Sequence, residues 1–255
     1  MLLAIDIGNT HLVLGVFEHE NRKGSWRLRT EQESTVDELA LQVLTLLRQD
    51  GYEPRDISQI IISCVVPPLL RVTTKLAEKY FSISPIVIGP GIKTGMEIAV
   101  DDPRSVGADR IVNAVAAKQL YGAPAIVVDF GTATTFDVVD ERGAYAGGVI
   151  APGLMISANA LFERASQLPR IEIREPAHVI GKNTLDAMRS GLYFGYASLV
   201  DGLIERIQND MGLEPNVIAT GGLSRVIAAE CSHIDEVVPD LTLQGLQIIA
   251  KMNSV

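Results

Sequence analysis

The chain has 255 residues, which is enough for one large domain or two smaller domains with a buried core. Hydrophobic residues make up 47% and charged residues 21%, a balance that is typical of a globular enzyme. The formal net charge of -9 argues against a nucleic-acid-binding surface, because a phosphate backbone attracts a basic patch.

Several features of the sequence predict a cytoplasmic protein without a membrane partner. The N-terminus lacks a basic segment, and Asp6 interrupts its short apolar run, so we expect no signal peptide. The longest apolar stretch, residues 60–70, is too short to span a bilayer and contains a Pro-Pro break. Cys64 and Cys231 show no CxxC spacing, which indicates two reduced thiols.

The first predicted elements are two aliphatic strands, residues 2–7 and 12–17, joined by the sequence GNTH. Asp6 ends the first strand, where a buried carboxylate is costly unless a cation or a hydrogen-bond donor faces it. Gly8 permits a tight turn, and the amides that follow it, up to Val13, can face phosphate oxygens. Asp6 would then meet the Mg²⁺ that accompanies the phosphates. An ordinary hairpin turn uses the same residue types, so the motif has two interpretations.

The next elements alternate between helices and strands. Residues 34–51 predict a helix with a capping box, in which Thr35 is the N-cap and Glu38 reaches back to it. A continuous apolar run at 60–66 predicts a strand buried on both faces, ended by two prolines. A helix at 69–80 and a short strand in PIVIGPG are expected to follow.

Residues 103–120 predict a helix that carries the sequence GADR near its start. Asp109 is favoured there by the helix dipole, so a helix-start carboxylate is one interpretation. A substrate site is the other, because Gly107 and Ala108 leave space and Arg110 can bind an anion through two hydrogen bonds. A carboxylate in that position could accept the proton of a hydroxyl that attacks a phosphate.

The second half of the chain repeats the first hairpin. Strands are expected at 125–128 and 135–139, with a polar turn at 129–132 between them and a third strand in GAYAGGVI. The residues that match the first turn are Asp129, Gly131 and Thr132. Two such turns at matched positions favour the grip of a polyphosphate over an ordinary hairpin.

The remaining sequence completes the pattern of an α/β protein. Helices are expected at 153–162 and 185–211, then the strand VIAT before two glycines in ATGGLS, then terminal helices. The glycine pair suits close approach to a nucleoside, although a strand-to-helix turn would use the same residues. We predict an α/β fold of two duplicated half-domains, 1–115 and 116–255, flanking a nucleotide cleft.

Three turns, DIGNT, DFGTATT and ATGGLS, resemble the phosphate-1, phosphate-2 and adenosine elements of the superfamily of sugar kinases, actin and heat-shock chaperone ATPases. Within that superfamily, VGADRIVNAVAA and the block DFGTATTFDVVDERGAYAGGVIAPGL closely resemble type III pantothenate kinase, and the resemblance spans essentially the whole chain. It implies an actin- or ribonuclease-H-like fold and ATP-dependent phosphorylation of pantothenate, the first step toward coenzyme A.

The resemblance also implies roles for individual residues. Asp109 is expected to be the catalytic base. Residues expected to bind pantothenate are Gly107, Ala108, Asp109, Arg110 and Thr184. Residues expected to bind ATP are Asp6, Ile7, Gly8, Asn9, Thr10, His11, Leu12, Val13 and Thr132. From the sequence alone, Thr184 looks like a helix N-cap in GKNTLD.

Cofactors and partners follow from the same resemblance. Mg²⁺ is expected with ATP near Asp6, and a monovalent cation, K⁺ or NH₄⁺, is expected at Asp129. The family forms homodimers, and the predicted helix at 185–211, which contains Gly191, Gly195 and Gly202, is the candidate interface. Val100 is a departure, because many members carry a tyrosine there that lines the substrate pocket.

Two other functions are compatible with the same scaffold. Some relatives act as accessory factors in transcriptional control, and a chaperone-like or actin-like ATPase would need no small substrate. Asp6, Asp109, Arg110 and Asp129 are all present and favour the enzyme, because a binding module does not need a catalytic base. The length of 255 residues leaves little room for the additional subdomains of a chaperone or actin.

Overall fold

The computed structural model describes residues 1–164 and 168–254, which group into two compact units. The first unit consists of Met1–Met96, Asp101–Ala116 and the segment from Thr242 onward. The second unit consists of Glu97–Val100 and Ala117–Leu241. The chain therefore crosses between the units more than once, whereas the sequence-based division at 115/116 crosses once and stays a prediction.

The first unit contains a five-stranded mixed sheet. Its strands are β1 (Leu2–Ile7), β2 (His11–Glu18), β3 (Asn21–Arg29), β4 (Gln59–Cys64) and β5 (Ile86–Val87). The strand order is β3-β2-β1-β4-β5. β1, β2 and β3 pair in antiparallel fashion, whereas β4 runs parallel to β1 and β5 runs parallel to β4.

Seven helices accompany the strands in the described part of the chain. They are α1 (Val36–Gln49), α2 (Pro67–Leu76), α3 (Ala108–Tyr121), α4 (Leu154–Arg164), α5 (Thr184–Met211), α6 (Ser224–Ile227) and α7 (Leu241–Met252). The predicted capping box of α1 is confirmed, since the Thr35 and Glu38 side chains each accept from the other residue's backbone N–H. The apolar faces of α1 and α2 pack on β1 and β4 in one hydrophobic core.

The second unit repeats the strand order of the first. Its strands are β6 (Ala125–Phe130), β7 (Ala133–Val139), β8 (Tyr145–Pro152), β9 (Asn216–Thr220) and β10 (Glu236–Val237). They are ordered β8-β7-β6-β9-β10, again with three antiparallel strands followed by two parallel ones. The predicted duplication is therefore confirmed at the level of topology. Helices α4, α5 and α6 contribute to the core beside β6 and β9.

Three sequence-based element predictions were wrong in detail. The predicted helix at 103–120 begins only at Ala108, because Pro103–Ser105 forms a separate 3-10 turn capped by the Asp102 side chain. The polar turn predicted at 129–132 is shorter, since Asp129 still belongs to β6. β3 was not predicted, because NRKGSWRLR is mostly polar and lacks the aliphatic run of a central strand.

No helix within residues 1–164 and 168–254 is long and apolar enough to cross a membrane.

Candidate active site

The first turn, between β1 and β2, is stabilised by hydrogen bonds to its backbone carbonyl groups. Gly8 donates its backbone N–H to the His11 carbonyl at 3.0 Å, directly after the Ile7–Leu12 strand pair. The Thr30 hydroxyl donates to the Gly8 carbonyl at 2.7 Å, and the Thr30 N–H donates to the Thr10 carbonyl at 3.0 Å. These bonds fix the orientation of the peptide groups in the turn.

The predicted ATP-binding residues of this hairpin differ in exposure. Ile7 and Leu12 are buried in the core, and Val13 is half-buried on β2. The exposed positions are Asn9, Thr10 and His11. Burial and, to a smaller degree, the Arg27 charge hold the pKa of His11 below its usual value, which favours a neutral imidazole.

Asp6 lies in β1, one residue before the strand ends, and is half-buried. It pairs with Ser63 of the parallel strand β4, so the two side chains leave the sheet on the same face. Burial raises the pKa of the neighbouring Cys64 thiol, and the Asp6 charge adds to that rise. The Cys64 thiol is accordingly protonated and unreactive at neutral pH.

Asp109 occupies the first turn of α3, as predicted, and is half-buried. The Arg110 N–H donates to its Oδ1 at 2.8 Å. Gly107 makes room for the carboxylate, because a Cβ on Gly107 would lie 2.6 Å from the same oxygen. Burial raises the pKa of Asp109 above its usual range, while the Arg110 N–H and the Arg110 charge act against that rise.

The second turn is one residue shorter than the first. Phe130 pairs with Thr134, and Gly131 donates its N–H to the Ala133 carbonyl at 3.1 Å. Thr132 is therefore at the exposed tip. Gly153, directly before α4, lies so close to the Thr132 carbonyl that a Cβ on Gly153 would collide with it.

The third motif adjoins Asp129, which is half-buried in β6. Gly221 has a φ of +93°, and a Cβ there would lie 2.5 Å from Asp129 Oδ1 and 2.7 Å from the Phe130 backbone. The structure thus brings the predicted adenosine motif and the predicted cation-binding carboxylate together in one unit. A side chain at Gly221 would fill the space beside that carboxylate.

Thr184 is the first residue of α5, and the predicted N-cap role is wrong. Asn183 is the N-cap, since its Oδ1 accepts from the Asp186 N–H at 2.9 Å. The exposed Thr184 side chain therefore does not cap α5. Thr184 instead lines a cavity of about 740 Å³ together with Lys182 and Met188.

Val100, which stands where many members of the resembled family carry a tyrosine, lies in a short segment that extends the second sheet. Ala99 donates its N–H to the Tyr145 carbonyl, and Tyr145 donates its N–H to the Glu97 carbonyl, both at 2.8 Å. This segment places Val100 beside Gly147, where a Cβ on the glycine would lie 3.7 Å from Val100 Cγ1.

Two residues that hold the turns were missed by the sequence analysis. Thr30 follows β3, which carries no strand signal in the sequence. Tyr196 of α5 contacts Thr134, and it resembles any core aromatic residue of a helix. In the sequence, Thr30 is marked only as a β-branched polar residue that directly follows NRKGSWRLR.

The two predicted cation positions, Asp6 and Asp129, offer carboxylate oxygens to cations that would bind together with the substrate phosphates. Carboxylate oxygens are the preferred donors for Mg²⁺, which usually needs one or two of them beside substrate phosphates. Asp6 can supply one such oxygen, and the absence of a Cβ at Gly221 leaves space beside Asp129 Oδ1. Across the described residues, no three His, Cys, Asp or Glu side chains cluster in a way that could hold a metal.

Comparisons with known proteins identify the family to which this chain is similar. The family model for type III pantothenate kinase matches residues 2–206. A type III pantothenate kinase from Halalkalibacterium halodurans is 54% identical over 99% of this chain and 100% of its own length. The one from Syntrophobacter fumaroxidans is 53% identical over 99% of this chain and 98% of its own.

Solved structures with the same fold are more distant in sequence. A Campylobacter jejuni protein described under the Baf family of transcriptional activators has a TM-score of 0.63 at 19% identity, with 98% of each chain covered. A ROK family glucokinase from Streptomyces griseus, solved with glucose and AMPPNP, has a TM-score of 0.57 at 12% identity, with 99% of each chain covered. At these identities the similarity concerns the fold alone.

Proposed function

The chain belongs to the type III pantothenate kinase family, and on that premise we propose that it transfers the γ-phosphoryl group of ATP to the primary hydroxyl of pantothenate. The product, 4'-phosphopantothenate, is the first intermediate on the way to coenzyme A. The observation that carries the proposal is Asp109, a half-buried carboxylate at a helix start with a raised pKa and a guanidinium-bearing neighbour.

Asp109 acts as the general base. It accepts the proton of the attacking hydroxyl, and its raised pKa makes it a stronger base than an exposed aspartate. The Arg110 N–H holds Oδ1 in a fixed direction. The Arg110 guanidinium suits the carboxylate of pantothenate, with which it can form two parallel hydrogen bonds. Gly107 and Ala108 leave the space in which the substrate approaches.

We assign residues of both glycine turns to the binding of ATP. In the first turn, Thr30 binds the Gly8 and Thr10 carbonyls and so fixes the backbone to which we assign the phosphate contacts. In the second turn, Thr132 offers its hydroxyl from the exposed tip. ATGGLS provides the close backbone approach for the adenosine. The remaining assigned contacts are Asp6, Ile7, Asn9, His11, Leu12 and Val13.

Two cations complete the proposed site. Mg²⁺ beside Asp6 and K⁺ or NH₄⁺ beside Asp129 would neutralise charge on the phosphates when bound. Asp6 and Asp129 each lie near the end of the first strand of a duplicated hairpin, directly ahead of a glycine turn. Asp6 would hold Mg²⁺ and Asp129 the monovalent cation, whereas Asp109 is assigned to the hydroxyl proton.

We also propose that the chain acts as a homodimer through α4 and α5. Nothing in the described part of the chain lies within 4 Å of a Cβ placed on Gly191 or Gly195, so these glycines leave room for a second copy. Large apolar side chains of the same unit are exposed, among them Ile150, Met155, Ile156, Val179, Ile180 and Leu199. Thr184 at the start of α5 would then contact pantothenate.

The use of ATP and the two free cysteines support a cytoplasmic location.

A coupled assay for ADP release, with and without pantothenate, tests the proposed function. We expect ADP to appear only when pantothenate is present, and mass spectrometry to show one added phosphoryl group on the acceptor. ADP release that does not depend on pantothenate would favour an actin-like or chaperone-like ATPase. No ADP release with any small acceptor would favour a regulatory accessory protein on this scaffold.

A further inference from the structure

Tyr196 of α5 connects two segments of the second unit that are distant in sequence. Its hydroxyl oxygen lies 2.6 Å from Thr134 Oγ1 at the start of β7. The same hydroxyl donates to the Pro152 carbonyl at the end of β8, at 2.8 Å. Thr134 and Tyr196 are only 1% and 6% exposed, so the bond between them is shielded from water, whereas the bond to the exposed Pro152 is partly buried. A buried hydroxyl that lost its partner would be costly, which indicates that these bonds persist.

The direction of the two hydrogen bonds follows from the number of protons. A phenol carries one proton, and Tyr196 donates it to Pro152. The Thr134 hydroxyl must therefore be the donor in the other bond. Burial raises the pKa of Tyr196, and the Thr134 hydrogen bond acts against that rise only in part, so the phenol stays protonated at neutral pH. The relay Thr134 to Tyr196 to Pro152 is thus fixed.

The two segments that Tyr196 joins enclose the second turn. Thr134 directly follows the turn and pairs with Phe130 on its other side. Pro152 pairs with Ala133 across β7 and β8, and the next residue, Gly153, lies against the Thr132 carbonyl. The carbonyl edge of the turn therefore rests on Pro152 and Gly153, whose position relative to β7 is held by the β7–β8 pairing and by the Tyr196 hydrogen bonds.

We propose that Tyr196 is a positioning residue for ATP, which holds the second turn in the conformation that receives the phosphates. The proposal rests on the proposed kinase function and deepens it. A preorganised turn loses little conformational freedom when ATP binds, and loosening it lowers affinity without removing any direct contact. Because neither bond involves the GADR segment or Thr184, we expect pantothenate binding not to depend on Tyr196.

The variant Tyr196→Phe removes both hydrogen bonds and keeps the aromatic ring. We expect the Kd of a non-hydrolysable ATP analogue, measured by calorimetry, and the KM for ATP to rise about fivefold to tenfold. The KM for pantothenate should change less than twofold. Tyr193→Phe is the matched control, because Tyr193 is buried in the same helix and its ring packs edge-on against Phe194. This control should leave both KM values at the wild-type level.

Thr134→Val tests the same relay from its other end. It should weaken binding of the ATP analogue to a similar degree. The double variant with Tyr196→Phe should bind the analogue no more weakly than either single variant. Affinity for the ATP analogue within twofold of wild type in Tyr196→Phe would overturn the proposal. So would an equal loss of ATP and pantothenate affinity, since that indicates general loosening of the fold. Full turnover in Asp109→Asn would instead contradict the proposed function. The ATP-analogue affinity of Tyr196→Phe would still test the role of Tyr196 by itself.

Discussion

At the residue scale, Asp109 has an environment that favours catalysis at some expense of stability. Burial disfavours its ionised form, so its pKa lies above the ordinary value in the folded protein. The folded state then binds the proton more tightly than the unfolded state. The stabilisation from this group is complete below the ordinary aspartate pKa and is lost as the pH rises through the raised pKa. At neutral pH the carboxylate of the proposed base is thus a destabilising charge.

The variant Asp109→Asn separates these two effects. The amide cannot accept the hydroxyl proton, so turnover should fall by a factor of 100 to 10,000, roughly the contribution of a general base. Binding of an ATP analogue should stay near the wild-type level. The melting temperature at pH 7 to 8 should equal or exceed that of the wild type, because the buried charge is gone. Near-normal phosphorylation by this variant would be incompatible with Asp109 as the base.

At the element scale, both phosphate turns depend on contacts from residues outside their own hairpins. Gly221 illustrates this, since it combines a positive φ with direct contact to Asp129 and Phe130. Alanine at a left-handed position in open space costs about 1–2 kcal/mol. At Gly221 the collision with the β6 backbone adds to that cost.

Gly221→Ala should therefore lower the free energy of unfolding clearly more than Gly122→Ala and should abolish ATP binding. Gly122 is the matched control, because its φ is +88° but nothing lies within 4 Å of the added Cβ. Urea denaturation of both variants, with an ATP-analogue titration, provides the comparison. Equal destabilisation of the two variants would show that the Asp129 contact carries no strain.

Thr30→Val tests the contact that holds the first turn. It removes the hydroxyl bond to Gly8 and leaves the backbone bond to Thr10, so the KM for ATP should rise about fivefold, the effect of about 1 kcal/mol. Thr45→Val is the control, because that hydroxyl only donates to Leu41 within α1. Steady-state kinetics at saturating pantothenate would measure both. An unchanged KM for ATP in Thr30→Val would remove Thr30 from the site.

These contacts also define what the sequence could predict. The aspartate-glycine turns, the capping box of α1 and the position of Asp109 are local patterns, and each was confirmed as a structural feature. Thr30 and Tyr196 act through partners 22 and 62 positions away, and no local period marks such a contact. The start of α3 was missed because Pro103 also fits a helix start, and only the chain's path shows that it opens a separate turn.

At the scale of the whole molecule, the duplicated strand order explains why two similar turns exist in one chain. Each unit places an aspartate near the end of its first strand and a glycine two residues later. The GADR helix start has no equivalent among these turns, so the proposed base, Asp109, is an addition to the duplicated pattern. The resemblance to type III pantothenate kinase, and not the duplication, pointed to that addition.

Gly195→Gln tests the proposed dimer. Within the described part of the chain a Cβ added at Gly195 meets no neighbouring group within 4 Å, and glutamine favours a helix by about 0.5 kcal/mol or more relative to glycine. The variant should fold at least as stably as the wild type but sediment as a monomer, with a raised KM for pantothenate. Gly202→Gln, on the same helix, serves for comparison. A Gly195→Gln protein that remains dimeric would exclude this face of α5 from the interface.

The most direct test of the central claim is a crystal structure with pantothenate and a non-hydrolysable ATP analogue. We predict that the primary hydroxyl of pantothenate lies within hydrogen-bond distance, about 2.6–3.2 Å, of an Asp109 carboxylate oxygen and faces the γ-phosphate. A structure in which that hydroxyl instead contacts Asp6 or Asp129, with Asp109 remote from the substrate, would contradict the assignment of the base.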